Sequence, residues 1–371
     1  MSRPVVVLLG KVPPPYMGPA IATRILLESS LIDYCRLIHL DTRAHRSLHD
    51  MGRFGIMKSF RTLLIYLRMA GLMLRHRPDL VIVPVSQSVT GFLKDAFYVL
   101  IARAFGRKVI LHLRGSDFRN RYEHAGNWFR TFVRFICDIS SGVIVQGECL
   151  RPIFEGLFTA DRIHIIPNGA DFSFPAKSRV GEDTEVRLLY LANLQASKGI
   201  LDLLEAIEIL KKRLVQDFSL DVVGDWRDEE TKRTALEIVE LNSSPVRFHA
   251  PATGIAKLQY LVDADVFVFP PRAPEGHPWV IVEAQAAGLP IVATDRGAIA
   301  EVVEDGRSGF IVAPEQPEVL ADRLERLIAD GSLRRAFGVR NRSLYLEKYT
   351  EEKMVERFRR LIGQLTGEQH R

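Results

Sequence analysis

Short apolar runs alternate with longer amphipathic segments along the whole chain. The runs are rich in Val, Ile and Leu, which is typical of strands buried in parallel sheets, and the longer segments have a helical period. The pattern predicts six strands in each half, over residues 5–9, 37–40, 80–84, 108–113, 142–146, 163–166, 187–191, 219–223, 246–249, 266–269, 291–293 and 309–312. Because strands and helices alternate, the predicted fold class is α/β, with a helix-covered parallel sheet in each half.

The domain boundary is predicted near residue 172, because 171–185 mixes proline, glycine and charged residues without apolar periodicity. This gives an N-terminal domain over 1–172 and a C-terminal domain over 173–350. The segment 351–371 carries a helical apolar face and is predicted to pack back on the N-terminal domain. Ligands bind at the carboxyl ends of parallel strands, so two such sheets facing each other would enclose a cleft for two substrates.

The charge is distributed unevenly between the two halves. Residues 1–180 contain 25 Lys and Arg against 13 Asp and Glu, which leaves 25 against 32 in the rest of the chain, or +12 and −7 for the stated total of +5. No apolar stretch reaches the ~20 residues of a membrane span, and the N-terminal run is short for a signal peptide. These features predict a cytoplasmic protein. The three cysteines are scattered without metal-binding spacing and are predicted to be reduced, buried and inert.

A basic amphipathic segment lies within residues 53–77, where Phe, Leu, Ile and Met alternate with cations. The cations are Arg53, Lys58, Arg61, Arg68, Arg75 and Arg77. Two interpretations are left open: contact with an anionic membrane at the inner face of the plasma membrane or with an anionic acceptor, or a solvated helix face with snorkelling side chains. Nucleic acid is not expected as a partner, because no aromatic-and-basic recognition motif accompanies the charge.

The most informative motif covers residues 270–290, PPRAPEGHPWVIVEAQAAGLP, directly after a predicted strand. Pro278 fits the first position of a helix, and Gly288 followed by Pro290 fits its end. The N–H groups near Trp279, Val280 and Ile281 would then form an anion site suited to a diphosphate, next to Gly276 and His277.

Two carboxylates flank this predicted helix start. Glu275 precedes it and Glu283 lies eight residues further on, where each carboxylate could accept hydrogen bonds from sugar hydroxyls. An acidic residue at a helix start is also favoured by the helix dipole alone, and a helical Glu is often half of an ion pair. Glu283 lies in an apolar helix, however, where burial of an unpaired carboxylate is costly, so a specific partner is expected.

These residues resemble the retaining glycosyltransferases of family 4, which carry two Glu separated by seven residues before a Gly-x-Pro-Ile/Val-Val-Ala-Thr strand. Three further segments are similar to family motifs: 166–171, the Lys-Gly loop at 191–200, and the strand end at 222–225. The resemblance implies the GT-B fold, with two Rossmann-like domains, an acceptor-binding N-terminal domain and a C-terminal domain that binds a nucleotide sugar. It also implies retention of configuration and no required metal or cofactor.

The resemblance further implies roles for individual residues. Glu275 would contact the donor sugar, Glu283 the ribose and Lys198 the diphosphate. Lys198 also has independent chemical support, since a fixed ammonium stabilises the charge that grows on a leaving diphosphate. The alternative is a surface lysine beside Gly199. Other donor-binding candidates are Gly276, His277, Trp279, Val280, Asn193, Gly224 and Gly18.

The chain departs from the family pattern at two positions. Asn193 stands where the family has an arginine, and Arg114 stands where it commonly has a histidine. We expect Arg114 to act as a catalytic cation that compensates for the missing arginine. His112, two residues away, is interpreted as a core histidine. Asp263-Ala264-Asp265 imitates a metal-binding Asp-x-Asp motif but is predicted to be a helix-to-strand turn.

The function predicted from these motifs is transfer of a hexose-type sugar from a nucleotide diphosphate sugar to a lipid-linked or glycan acceptor in cell-surface glycan synthesis. Three alternatives share the fold: a nucleotide-sugar epimerase, a phosphorylase, and a nucleotide-sugar-binding protein without turnover. The sequence does not distinguish UDP from GDP donors.

Overall fold

The computed structural model describes residues 3–14, 16–43, 56–178, 185–213 and 217–367. The chain divides into two compact units. Unit 1 consists of Met1–Ala170 with Glu351–Arg371, and unit 2 of Asp171–Thr350. Each is described by itself below.

Unit 1 contains a six-stranded parallel sheet with strand order β2-β1-β3-β4-β5-β6. The strands are β1 (Val5–Gly10), β2 (Arg36–Asp41), β3 (Leu80–Val85), β4 (Lys108–Leu113), β5 (Gly142–Val145) and β6 (Ile163–Ile165). The helices are α1 (Gly18–Glu28), α2 (Leu31–Tyr34), α3 (Ile56–His76), α4 (Val89–Ala104), α5 (Phe118–Glu123) and α6 (Asn127–Ile139).

Unit 2 contains a second six-stranded parallel sheet with strand order β12-β11-β10-β7-β8-β9. The strands are β7 (Val186–Leu191), β8 (Phe218–Val223), β9 (Val246–His249), β10 (Val266–Phe269), β11 (Ile291–Thr294) and β12 (Gly309–Val312). The helices are α7 (Ile200–Arg213), α8 (Glu229–Asn242), α9 (Gly254–Asp263), α10 (Trp279–Ala286), α11 (Ile299–Val302), α12 (Pro317–Ala329) and α13 (Gly331–Lys348).

The predicted fold class and strands are confirmed. Each of the twelve strands lies within one residue of its predicted bounds. The prediction succeeds because helices cover both faces of each sheet, so that inner strands such as β4 and β10 are continuous apolar runs. Edge strands β2 and β9 are only partly buried, in agreement with their more mixed sequences.

The C-terminal helix α14 (Glu351–Thr366) belongs to unit 1. Its apolar face, which includes Met354, Phe358 and Ile362, is buried in one core with Leu8 and Ile82 of the central strands. The chain therefore returns to unit 1 after completing unit 2, and the apolar face of α14 is satisfied there.

Helix α3 has one buried and one exposed face. Ile65, Met69 and Met73 are buried, whereas large apolar side chains on the opposite face are 38–65% exposed. The exposed apolar residues are Phe60, Leu63, Leu64, Leu67 and Leu74. Arg53 and Phe54, which the sequence analysis included in this segment, lie outside the described residues, as does the side chain of Lys58. Among the described helices, none combines the length and apolarity needed to cross a bilayer.

One cysteine prediction is wrong. Cys35 and Cys137 are buried, but Cys149 is exposed. It lies in the short 3-10 helix Glu148–Phe154, whose inward side chains are Leu150, Ile153 and Phe154. Cys149, near the start of this helix, points outward. The position of the cysteine in the sequence does not show which way its side chain faces.

Candidate active site

Two loops meet at the carboxyl edge of the unit 2 sheet, because strands β7 and β10 are neighbours in it. The backbone N–H groups of Arg272 and Ala273 both donate to the Ser197 carbonyl at 3.1 Å. The Tyr190 hydroxyl donates to the Lys198 carbonyl at 3.0 Å. These bonds fix the loop after β7 against the loop after β10.

Two glycines allow this close packing. Gly199 has φ +75°, and a Cβ there would lie 1.7 Å from the Pro270 carbonyl oxygen. Gly297 has φ +62°, and a Cβ there would lie 1.5 Å from the Glu275 carbonyl oxygen. No side chain fits at either position, and both glycines have the left-handed backbone that other residues rarely adopt. The backbone around Lys198 and Glu275 is therefore constrained on both sides.

Lys198 and Glu275 form an ion pair between these loops. The two side chains are 23% and 15% exposed, so each is mostly buried. Glu275 and burial together raise the pKa of the Tyr190 hydroxyl well above its usual value, with burial the larger cause. The structure thus brings together the two residues predicted to act on the donor sugar and its diphosphate.

Helix α10 begins one residue later than predicted. Pro278 has ψ 127°, an extended conformation, and serves as the N-cap, so Trp279 is the first helical residue. The Ile281 N–H donates to the Pro278 carbonyl at 3.2 Å. The prediction that Ile281 contributes a free N–H is therefore wrong, because the cap residue already accepts from it. The predicted helix stop is confirmed, since α10 ends at Ala286 and Gly288 has φ +72°.

The residues around the start of α10 are buried or half-buried, and two of them contact a backbone N–H group or an aromatic ring. The Gly276 carbonyl accepts from the Ala298 N–H at 3.0 Å. His277 is buried, with its ring centroid 5.1 Å from that of Tyr349, and Trp279 is 7% exposed. Val280 is half-buried. Their roles in donor binding stay predictions.

Glu283 has the specific partner that its burial requires. Its Oε1 lies 2.6 Å and its Oε2 2.5 Å from the Lys257 Nζ on α9. The expectation that α10 is apolar apart from Glu283 is wrong, because the helix also contains Gln285. Gln285 is fully buried and donates to the Val302 carbonyl at 2.8 Å. The ribose-binding role of Glu283 stays a prediction. In the structure Glu283 also forms the ion pair that joins α10 to α9.

Asn193 is in contact with a cation that the sequence analysis did not identify. The Arg227 Nη2 donates to the Asn193 Oδ1 at 2.7 Å. Arg227 follows β8, and its backbone N–H donates to the Leu194 carbonyl at 3.0 Å, which ties the two neighbouring loops together. In the same loop the Gly224 N–H donates to the His249 carbonyl at 3.3 Å. The Lys257 and Arg227 contacts have no signal in sequence spacing, because the partners are 26 and 34 residues apart.

A further pair supports the loop after β10. Arg272 donates from Nε to one oxygen of Asp202 at 2.9 Å and from Nη2 to the other at 2.5 Å. Asp202 is 3% exposed and lies in the first turn of α7, directly after the Lys198 loop. This bidentate bond is a second contact that holds the loop onto the helix, and the separation of 70 residues left no sign of it in the sequence.

The remaining predicted residues lie in unit 1. Gly18 is the first residue of α1, and Arg114 follows β4 with its Nη1 3.4 Å from the Pro19 carbonyl. Burial lowers the pKa of Arg114 to about 10, which leaves it a cation at neutral pH. His112 is 5% exposed, with its ring centroid 6.1 Å from that of Phe358, as expected for a core histidine. The catalytic role of Arg114 stays a prediction.

The Asp-x-Asp sequence is a turn between α9 and β10, as predicted. Asp263 accepts from the Ser178 N–H at 2.8 Å, and Asp265 accepts from the Arg187 N–H at 3.0 Å. Within the described ranges, no three His, Cys, Asp or Glu side chains are grouped to hold a metal ion. The two aspartates therefore accept hydrogen bonds from the backbone of Ser178 and of β7, which are distant in the chain.

Two family models match consecutive parts of this chain. Residues 18–169 match a glycosyl transferase 4-like domain, and residues 174–344 match the model of glycosyl transferases group 1. The chain belongs to the group 1 glycosyltransferases. The second match contains the Lys198 and Glu275 loops, Glu283 and Lys257, so the group 1 region coincides with the site described above.

Curated relatives of this family member have several stated activities. The chain is 28% identical over 238 residues to lipopolysaccharide 1,2-N-acetylglucosaminetransferase of Salmonella typhimurium, covering 60% of this chain and 61% of the relative. It is 32% identical over 189 residues to D-inositol 3-phosphate glycosyltransferase of Paenarthrobacter aurescens, covering 48% and 46%. The chain thus spans less than two thirds of the length of either relative.

Solved structures agree in fold over the whole chain. Sucrose-phosphate synthase from Thermosynechococcus elongatus superposes with a TM-score of 0.76 at 18% identity, covering 99% of this chain and 100% of that one. Anabaena HepE, solved with UDP and glucose, superposes with a TM-score of 0.73 at 17% identity, covering 98% and 100%. The GT-B fold predicted from the sequence motifs is confirmed.

Proposed function

We propose that this group 1 family member transfers a hexose-type sugar from a nucleotide diphosphate sugar to a glycan or lipid-linked acceptor, with retention of configuration and without a metal ion. The observation that carries the proposal is the Lys198–Glu275 pair, held between two loops at the carboxyl edge of a parallel sheet and beside the start of α10. Ligands of open parallel sheets bind at this edge.

The chemistry follows from the charges at this position. When the bond between the sugar and the diphosphate breaks, negative charge grows on the leaving oxygen, and a fixed ammonium such as that of Lys198 stabilises it. The start of α10 favours negative charge in the same place. In the free protein Glu275 neutralises Lys198. A bound diphosphate would take over the ammonium and release the carboxylate to accept sugar hydroxyls.

Retention then needs no protein base. The acceptor hydroxyl attacks on the face from which the diphosphate departs, and a phosphate oxygen takes its proton. Product stereochemistry and turnover in the presence of a chelator test these two parts separately. An anomer of opposite configuration would contradict retention, and loss of turnover that added divalent metal restores would contradict the absence of a metal.

The decisive experiment combines donor binding and turnover. A thermal-shift panel of UDP- and GDP-sugars identifies the donor, because a ligand that binds the folded state raises the apparent stability. With that donor and a cell-envelope glycan extract as acceptor, release of nucleoside diphosphate is measured. Lys198→Met is expected to lower kcat by about 10²- to 10³-fold, the range typical when one group that stabilises a developing negative charge is removed. Glu275→Gln should also lower kcat, because a contact with the donor sugar is weakened.

Matched controls come from an exposed pair in the same unit. Lys232 and Glu229 on α8 are 3.8 Å apart, and Lys232→Met and Glu229→Gln should leave turnover unchanged. Full activity of Glu275→Gln would contradict the proposal. Donor binding without nucleotide release would favour the binding protein without turnover, and conversion of the donor sugar without an acceptor would favour the epimerase.

We further propose that the exposed face of α3 docks this enzyme on an anionic membrane, at the inner face of the plasma membrane, where lipid-linked acceptors would be reached. On a helix at 100° per residue, the exposed apolar side chains Phe60 to Leu74 form one stripe. Arg61, Arg68 and Arg75 are exposed, seven residues apart, and line one border of that stripe. Apolar side chains flanked by cations are typical of helices that lie in a membrane interface.

Sedimentation with vesicles tests this docking surface. The protein should bind vesicles containing phosphatidylglycerol and not pure phosphatidylcholine vesicles. Leu67→Gln combined with Arg68→Gln should reduce binding about tenfold, whereas Leu241→Gln, at a position 84% exposed in unit 2, should not. Equal binding by the α3 variant would exclude this face.

A further inference from the structure

A cavity of about 290 Å³ lies at the carboxyl edge of the unit 1 sheet. Its walls come from the ends of β1, β3 and β4, the first turns of α1 and one turn of α4. The volume is at the lower end of the ~300–1,000 Å³ range of small-molecule sites, so its guest is about the size of one sugar ring.

The lining combines an apolar floor with a cationic rim. Leu8, Ile82 and Ala20 form part of the floor. The charged residues that line the cavity are Lys11, Lys94, Arg114 and Asp95. His112 does not add to these cations, because burial, and secondarily the nearby Arg114, lower its pKa well below the usual value.

The single carboxylate in the lining, that of Asp95, already has a hydrogen-bond donor and a counter-charge. Asp95 is 4% exposed, and its Oδ2 accepts from the Ser86 N–H at 2.8 Å. Its Oδ1 lies 3.4 Å from the Lys94 Nζ. The charges of Lys94 and Asp95 thus offset each other, and within the described residues no ion pair joins Asp95 to Arg114.

Arg114 is the cation that most needs an anion. Within the described part of the chain its hydrogen bond goes to the Pro19 carbonyl at 3.4 Å, and it forms no ion pair there with a carboxylate. A half-buried guanidinium with one long hydrogen bond has lost hydration without gaining a counter-charge. A planar guanidinium is also well suited to bind two oxygens of one phosphate.

Neutral hydrogen-bonding groups complete the lining. Gln87 is held in place, since its Oε1 accepts from the Asp117 N–H at 2.6 Å. Thr23, Thr42 and Ser86 add hydroxyl groups around the same space. An apolar floor, fixed hydrogen-bonding groups and a cationic rim match a polyol ring that carries one anionic substituent.

We propose that this cavity is the acceptor site and that it recognises an acceptor bearing a phosphate monoester, which Arg114 binds while the hydroxyl and amide groups orient the sugar-like ring. The inference rests on the proposed transferase function, because it names the class of acceptor for that reaction. It gives Arg114 a ligand of its own, the acceptor phosphate, in a cavity that unit 1 residues line.

Isothermal titration of the full chain tests the proposal with paired probes. Glucose 6-phosphate should bind at least tenfold more tightly than glucose, and also more tightly than inorganic phosphate, because both the ring and the anion contribute. Arg114→Gln should remove the preference for the phosphate ester, and Arg114→Lys should restore part of it. Arg36→Gln is the matched control, since Arg36 is exposed on β2 of the same unit and does not line the cavity.

A second arm separates the sources of the phosphate. Dihexanoyl phosphatidic acid, a water-soluble lipid monophosphate, is titrated in parallel. Binding of glucose 6-phosphate and not of this lipid would support a sugar phosphate as the acceptor, whereas binding of the lipid alone would mean that the ring is not recognised and would overturn the proposal. Binding of neither, or equal affinity for inorganic phosphate and the esters, overturns the proposal.

Titrations in the presence of nucleoside diphosphates distinguish failure of the acceptor proposal from failure of the proposed transferase function. Glucose 6-phosphate affinity should be unchanged when UDP or GDP is present at saturation. Displacement by UDP or GDP would show that Arg114 serves the donor diphosphate instead, and would overturn the acceptor assignment. If neither nucleotide sugars nor nucleoside diphosphates bind at all, the transferase proposal itself fails, whatever the cavity binds. Circular dichroism of each variant confirms that it is folded.

Discussion

Both carboxylate oxygens of Glu283 lie within 2.6 Å of the Lys257 Nζ, and the two side chains are only 9% and 15% exposed. The pair joins α10, which follows the Glu275 loop, to α9, which precedes β10. A residue that family motifs assign to the ribose is therefore also one half of a buried ion pair that holds two helices together.

Removing Lys257 should destabilise the fold more than removing both charges. Lys257→Met leaves a buried carboxylate without a counter-charge, with an expected loss of about 3 kcal/mol of unfolding free energy. The double variant Lys257→Met, Glu283→Gln should recover most of this loss. Urea titration of the full chain measures both. A loss in the double variant as large as in the single would mean that the unpaired carboxylate is not the cause of the destabilisation.

The two loop glycines should not tolerate alanine. Gly199→Ala and Gly297→Ala each place a Cβ against a carbonyl oxygen, so we expect losses above the ~1 kcal/mol of an unfavourable backbone angle alone, together with lower turnover. Gly306→Ala is the control, because Gly306 has φ +71° but nothing within 4 Å of an added Cβ. If Gly306→Ala lowered turnover equally, the cause would be general destabilisation, not displacement of the Lys198 and Glu275 loops.

Arg227 is expected to contribute to diphosphate binding beside Asn193. Its guanidinium donates to Asn193, the position at which the family resemblance implies an arginine, and Arg227 is exposed. Arg227→Met should weaken the binding of UDP or GDP, whichever the wild type binds, by about tenfold, which corresponds to ~1.4 kcal/mol. Arg233→Met on α8 serves as the control for general charge, since Arg233 is 72% exposed. Unchanged nucleotide affinity in Arg227→Met would mean that Arg227 only stabilises the loop and does not contact the diphosphate.

The stability of the protein should fall on mild acidification because of His112. Burial, and secondarily the nearby Arg114, lower the pKa of this histidine well below 6.5 in the folded state, while the unfolded chain keeps the usual value. Its stabilising contribution is therefore complete above pH 6.5 and is lost as the pH falls from there toward the folded-state pKa, by at most about 1.4 kcal/mol per pH unit. Comparison of wild type with His112→Phe by urea titration between pH 8 and pH 5 should show a shallower decline in the variant. Parallel curves would exclude His112 as the cause.

One thiol should react in the folded protein. Cys149 is exposed, whereas burial raises the pKa of Cys35 to about 11 and that of Cys137 to about 12. Titration with Ellman's reagent should give one equivalent under native conditions and three in denaturant, because the thiolate is the reactive form. Cys149→Ser should abolish the native reaction, and persistence of one reactive thiol in that variant would contradict the assignment.

The local sequence determined a large part of this protein. The twelve strands were predictable because each inner strand is buried on both faces and must be continuously apolar. The stop of α10 at Gly288 was equally local, since a left-handed residue followed by proline ends a helix. Lys198 and Glu275 could be identified because short motifs, each within one loop, carry them.

Where Pro278 lies in relation to α10 was less certain from the sequence. A proline fits both the N-cap and the first helical position, and only the backbone angle distinguishes them. The exposure of Cys149 depends in the same way on which face of a short helix turns inward. Both details are decided by neighbouring elements, not by the residue itself.

Only the tertiary structure decided how charges are partnered. Lys257 neutralises Glu283, Arg272 neutralises Asp202, and Arg227 lies against Asn193, although each pair is separated by 26 to 70 residues in the chain. The order of the strands in the sheet brings together the helices and loops that carry these residues. That order results from crossover connections, which no local sequence pattern predicts. The sequence by itself therefore determined the elements and the reactive residue types, whereas their partners, and the cavity at the edge of unit 1, exist only because the folded sheets bring distant strand ends together.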